Sequence, residues 1–196
     1  MQRFAIAATL LALASATAHA DEAADVKACN AGKAARCEQL SETYLEGKDG
    51  IAKDEQKSLA FLEKACNAKL SRACNNAGTS WSDGKNGAPA VDHGKARKFY
   101  EKACGMKNGL GCFNLGNVFR LGEGMAADLK AATANFKKAC DFNEAKGCTE
   151  LGIIYYEGKA VPKDVKKATE LLEKACKLGS EPACKNVEIL KKAASK

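Results

Sequence analysis

Ten cysteines recur as five pairs with one spacing: Cys29 and Cys37, Cys66 and Cys74, Cys104 and Cys112, Cys140 and Cys148, Cys176 and Cys184. The second member of each pair falls at 37, 74, 112, 148 and 184, so the pattern repeats every 36 to 38 residues. A period in that range is the signature of stacked helix pairs, in which each unit buries its apolar face only against its neighbours. It argues against a single globular core.

Between successive cysteine pairs the residues follow one plan. A first helix starts near the second cysteine and carries Leu151, Gly152 and Tyr155 before ending at Gly158. The matching sets are Leu40, Ser41, Tyr44 and Gly47; Ala77, Gly78, Trp81 and Gly84; Leu115, Gly116, Phe119 and Gly122. Spacings of three and four put the large residues on one helix face, and the small residue beside them lets a partner helix approach. The closing glycine supplies the left-handed residue that stops a helix. After a loop, a second helix starts at an N-cap such as Asp164 and carries Ala168, Leu171, Leu172 and Ala175. Its counterparts are Phe61, Leu62 and Ala65; Phe99, Tyr100 and Ala103; Phe136 and Ala139. Helices this short are marginal alone and need stacking.

The expected fold is therefore all-α, a right-handed superhelical solenoid forming one domain over 21–196. Four helix pairs are expected near 33–66, 71–104, 109–140 and 145–176, with half-repeats at both ends. A last helix near 181–193 replaces the Leu-Gly pair with Val187 and Glu188 and the aromatic with Lys191, as a capping helix requires.

Each cysteine pair joins the end of a second helix to the start of the next first helix. Antiparallel helices linked by so short a turn bring these positions side by side, within the Cα separation of about 5.5 Å that a disulfide takes. Local pairing is the natural connectivity: Cys29–Cys37, Cys66–Cys74, Cys104–Cys112, Cys140–Cys148 and Cys176–Cys184. Closing each nine-residue loop is worth about 2.6 kcal/mol by chain entropy. The redox motif Cys-x-x-Cys is absent, and whole helix pairs separate one cysteine pair from the next, unlike the converging ligands of a zinc site. No metal and no cofactor are expected.

Residues 1–20, "MQRFAIAATLLALASATAHA", have a basic start, an apolar run and a small-residue end, and read as a secretory signal peptide cleaved before Asp21. Export to the periplasm or beyond suits an even set of cysteines. Without Arg3 the chain holds 30 basic and 24 acidic residues. That charge is expected to spread over solvated helix faces, and aromatic residues are few, which disfavours a nucleic-acid partner. No later apolar run is long enough to span a membrane. A monomer is expected.

The stretch "CTELGIIYYEGKAVPKDVKKATELLEKACKLGSEPAC" resembles the Sel-one-like repeat, a relative of the tetratricopeptide repeat. With its cysteine clips in an exported chain it is similar to the Helicobacter cysteine-rich protein family, over about residues 25–190. The second unit departs most, since "WSDGKNGAPAVDHG" is lengthened and lacks the usual loop pattern around an Asp. The resemblance implies a binding module or adaptor for a peptide, a protein or a peptidoglycan-related envelope fragment. Two alternatives come with it: a penicillin-binding protein with weak β-lactamase activity, and a periplasmic immunity protein. By comparison with tetratricopeptide repeats, the first helices line an inner, concave surface. The expected ligand-binding residues there are Arg72, Asn75, Asn76, Thr79, Phe113, Asn114, Asn117, Arg120, Ile153 and Tyr156, with an acidic strip of Glu38, Glu42 and Glu46 in the first repeat. Asn amides can bond a peptide backbone and Arg can clamp a carboxylate.

An enzyme would need a nucleophile within reach of a base. Ser82 and Lys85 give the one Ser-x-x-Lys match after the leader, yet the partner motifs Ser-Asp-Asn and Lys-Thr-Gly are missing. His93 has no serine or cysteine committed to it. Catalytic residues stay unassigned.

Overall fold

A computed structural model describes residues 21–194; the leader expected over residues 1–20 lies outside the described residues. Among the described residues every regular element is helical. A helical segment α1 (residues 21–30) leads into α2 (Ala34–Glu46), α3 (Glu55–Asn67), α4 (Ser71–Asp83), α5 (His93–Gly105), α6 (Gly109–Leu121), α7 (Leu129–Asp141), α8 (Ala145–Glu157), α9 (Val165–Lys177) and α10 (Glu181–Ala194). The chain divides into two compact units, one ending at Asp92 and the other starting at His93. In the first unit α2 and α3 form a hairpin and α4 packs on α3. In the second, α5 packs on α6, the hairpins α6–α7 and α8–α9 follow, and α10 closes against α9. The fold is an all-α solenoid of paired, disulfide-linked helices.

Local chemistry sets the helix ends. The carboxylates of Asp54, Asp128 and Asp164 cap α3, α7 and α9, accepting the amides of Lys57, Ala131 and Lys167 at 2.8–2.9 Å. The N–H of each capping Asp donates back to the carbonyl of the first helix's aromatic residue, from Asp54 to Tyr44, Asp128 to Phe119 and Asp164 to Tyr155. The second repeat keeps this device, contrary to expectation: Asp92 N–H donates to Trp81 O at 2.8 Å, while within the longer loop Ala88 is buried and Gly87 lies against the Glu55 backbone. Gly84 ends α4 at φ 63°, and a Cβ there would lie 2.8 Å from the Val91 amide nitrogen. Only glycine fits both constraints.

Five disulfides join the expected cysteine pairs, with Cα separations of 4.4–4.7 Å. So close an approach needs small neighbours: a Cβ on Gly147 would lie 2.4 Å from that of Ala139. Inside each clip the third residue after the first cysteine is left-handed. Gly32, Lys69, Lys107, Asn143 and Gly179 have φ from 61° to 94°. That kink lets the following amide reach back into the helix, as Leu70 N–H does to Ala65 O at 3.1 Å. Lysine also closes helix ends from the next repeat: Lys174 Nζ donates to Cys140 O at 2.7 Å, where the last carbonyls and the helix dipole favour a cation.

The core of the second unit centres on Phe136, which is fully buried among Ala132, Cys140, Cys148, Leu151 and Leu172. Burying a side chain of this size is worth roughly 1.5–3 kcal/mol. Gly116 faces it, and a Cβ there would stand 2.6 Å from the Phe136 ring. On α10, Val187 joins this core while Lys191 pairs with Glu173 at 2.8 Å, so the last helix buries one face and salts another. The Lys191 ammonium holds the Glu173 carboxyl below its ordinary range. In the first unit the Tyr44 and Phe61 rings stack with centroids 5.6 Å apart. The Tyr44 hydroxyl donates to Glu22, fastening α1 to α2.

Residues 21–92 hold twelve acidic and ten basic side chains, whereas residues 93–196 hold twelve acidic and twenty basic.

Candidate functional site

Each first helix offers the outer world the residues at two, five and eight positions after its second cysteine, and these differ sharply between the units. In the first unit α2 and α4 stand on either side of α3 and leave a cleft of about 230 Å³. Its walls include Glu38, Ser41 and Glu42 from α2, Ser58 and Leu62 from α3, and Asn76, Thr79 and Ser80 from α4, with Asn86 contributed by the loop. Of the four residues expected to bind ligand here, the structure brings Asn76 and Thr79 together on this cleft. Thr79 Oγ1 donates to Asn75 O at 3.2 Å, the usual back-bond of a helical threonine. Asn75 is 5% exposed, so its amide is packed inside and donates to Asn76 Oδ1 at 3.3 Å. Arg72 is exposed, but its guanidinium is engaged by both carboxylate oxygens of Glu38. That carboxylate raises the Arg72 pKa through its hydrogen bond and its charge. The arginine is thus held by the preceding first helix.

In the second unit the faces of α6 and α8 divide into two chemistries. On α6, Arg120 donates from Nε and a terminal nitrogen to Asn117 Oδ1 at 3.3 and 3.1 Å, which leaves the Asn117 NH₂ as the donor on that face. Asn114 is half-buried. Phe113 is not displayed; its ring leans on Phe136 with centroids 5.8 Å apart and belongs to the packing. On α8, Ile153 and Tyr156 line an open groove of about 220 Å³ with Leu172, Asn186, Ile189 and Leu190. Tyr156 is 43% exposed and Ile189 63%. The Lys163 ammonium lies 5.0 Å from the Tyr156 ring centroid, within cation–π range.

Three of the groove residues, Asn186, Ile189 and Leu190, were missed because α10 had been read only as a cap. The signal was present: counting two and five from Cys184 gives Asn186 and Ile189, in line with Glu150 and Ile153 from Cys148. Ser41, Ser58 and Ser80 carry no such signal, since a serine on a helix gives no sign of which cleft it lines.

Ser82 lies in the last turn of α4, and Lys85 lies beyond the left-handed Gly84; no hydrogen bond joins the two side chains. His93 opens α5 with Nδ1 3.7 Å from Glu123 Oε2, an acid–base contact with no nucleophile in it. Among the described residues no three His, Cys, Asp or Glu side chains converge as a metal site would need, and no helix is long and apolar enough to cross a membrane. The five disulfides mark the oxidising setting in which such bonds persist.

The Sel1 repeat matches four segments, residues 37–70, 71–108, 109–141 and 145–180. No curated protein matches the sequence. Among solved structures, a Sel1 repeat protein from Oxalobacter formigenes superposes with a TM-score of 0.69 at 23% identity, over 80% of this chain and 63% of its own. A protective antigen of uropathogenic Escherichia coli with an SLR fold gives 0.74 at 23% identity, over 83% of this chain and 34% of its own. This chain therefore spans less than two thirds of either protein, and at that identity the likeness concerns the fold. Helicobacter pylori cysteine rich protein B is 36% identical, with a TM-score of 0.55 over 67% of this chain and 93% of its own. Repeat for repeat, in spacing, in helix pairing and in sequence match, the chain belongs to the Sel1 repeat family.

Proposed function

We propose that the protein is an exported binding module, resident in the periplasm or secreted, that captures a polypeptide segment on the exposed faces of its first helices. The Sel1 repeat fold is typical of protein–protein interaction and adaptor modules, which supports the class. The observation that carries the reading is the groove between α8 and α10, where Tyr156 and Ile189 stand exposed beside the Asn186 amide. Large apolar side chains left in water around an open hollow are what an anchor residue of a partner would cover, and a rigid aromatic is a common hot spot. Covering a side chain such as Ile189 is worth roughly 1.5–3 kcal/mol. The amides of Asn186 and Asn117 offer donors and acceptors for the backbone of the same segment.

The test is selection of dodecapeptides from a random library by the oxidised protein, followed by titration of a synthetic winner. Winners should share an apolar anchor. Replacement of Ile189 by Asp should weaken binding at least tenfold with an unchanged melting temperature. Equal affinity for wild type and variant would remove the groove from the binding surface.

A further inference from the structure

The cleft of the first unit has a chemistry of its own, independent of the α8–α10 groove. Two carboxylates, Glu38 and Glu42, reach its rim, and among the described residues they are the only charged side chains in its wall. Arg72 answers Glu38. Among the described residues Glu42 has no ion pair; its charge adds only distantly to the fields at Arg72 and Lys48. The cleft with its arginine is therefore short of one positive charge.

Deeper in, the wall is lined with hydroxyls. Ser41 and Ser58 are buried and share one hydrogen bond, Oγ to Oγ at 3.1 Å, which uses one of their two protons and leaves lone pairs over. Ser80 is 3% exposed and lines the cleft, and among the described residues no side-chain hydrogen bond joins its hydroxyl to another group. What remains of Ser80 at the surface faces the cleft, so its hydroxyl takes its partner from whatever enters there. Leu45 and Leu62 make the apolar part of the same wall.

We infer that this cleft is a binding site for a primary ammonium on an aliphatic stem. The stem lies along Leu45 and Leu62. The ammonium, with three donors and no acceptor, directs one at the Glu42 carboxylate and the others at the Ser80 hydroxyl and the Ser41–Ser58 pair. Acceptors spread around a point suit a compact tetrahedral cation better than the planar fork of a guanidinium. At about 230 Å³ the cleft has room for several waters and so for the end of a lysine side chain. Such a group comes either from a lysine of a polypeptide or from a free diamine.

The test uses the oxidised protein and amide-resolved NMR titration with three probes: the capped tripeptide Gly-Lys-Gly, its norleucine counterpart, and 1,5-diaminopentane. The lysine peptide should shift amides at 38–45 and 76–86 and bind at least tenfold more tightly than the norleucine peptide. Glu42→Gln should weaken it about tenfold and Ser80→Ala about threefold, both with an unchanged melting temperature. Tighter binding of the peptide than of the diamine assigns the site to a polypeptide lysine; the reverse assigns it to a free amine. Equal binding of lysine and norleucine peptides, or full affinity in Glu42→Gln, would overturn the inference. Because Ile189→Asp alters only the second unit, failure here is separable from failure of the apolar groove.

Discussion

Five residues after the second cysteine, the first unit places Glu42 and Thr79, and the second unit places Asn117, Ile153 and Ile189. The same register thus gives a hydroxyl-lined acidic cleft in one unit and an apolar groove in the other. What both units share lies inward: the disulfide, the small residue that admits the partner helix, the aromatic whose carbonyl holds the capping Asp, and the left-handed glycine. Those positions answer to close packing, where a single added methyl group meets a neighbour, as at Gly116 and Gly147. The outward positions answer to solvent rather than to a packed neighbour, and so they are free to diverge. Twenty basic residues against twelve acidic in residues 93–196, and ten against twelve in residues 21–92, express the same freedom.

The largest effect expected concerns the shared part. Removing Cys66–Cys74 from the first unit or Cys140–Cys148 from the second opens loops of identical length, so each pair of Cys→Ala changes should cost about 2.6 kcal/mol. Hydrogen exchange of the helices flanking each clip measures the two losses. Unequal losses would show that the clips are not the common frame.

The next effect belongs to the first unit alone. Burial, and then the hydrogen bond to Glu22, raise the Tyr44 pKa from 10.0 to about 12. A pKa raised in the folded state adds stability that is fully present below pH 10 and is lost as pH climbs from 10 to 12, because the native state there holds a proton the unfolded chain has released. Wild type should therefore lose stability across that window more steeply than Tyr44→Phe, read from urea midpoints at each pH. Parallel curves would mean that the Tyr44–Glu22 tie contributes nothing.

The smallest effect again compares the units. Lys69 and Lys107 hold the left-handed position that Gly32 and Gly179 occupy in other clips. A left-handed lysine costs about 1–2 kcal/mol, part of which a glycine's looser unfolded chain takes back. Lys69→Gly and Lys107→Gly should each stabilise by about 0.5–1 kcal/mol, seen as a higher melting temperature. A lower one would mean that the lysine side chains contribute more than the backbone strain removes.

Periodic features were legible in the sequence because packing writes them at fixed spacing. Cys148, Leu151, Gly152, Tyr155 and Gly158 located α8, and the spacing of the cysteines located the bridges. Features that depend on which residues of another helix a side chain meets were not legible. Nothing in the sequence says that Arg72 answers Glu38 across 34 positions, that Asn75 turns inward while Asn76 faces out, or that Phe113 leans on Phe136. Asp92 escaped notice because its loop is longer, although it makes the same bond to the aromatic carbonyl. The candidate site was legible as a set of outward positions, not as two sites of opposite chemistry. That distinction rests on which walls meet which cleft.

The most direct test of one frame carrying two chemistries is a paired NMR titration of the oxidised protein. The lysine tripeptide and the selected apolar peptide are added in turn and then together. The account predicts that the first shifts amides at 38–45 and 76–86, the second shifts amides at 150–157 and 186–190, and neither displaces the other. A single set of amides answering to both ligands, or displacement of one by the other, would contradict it.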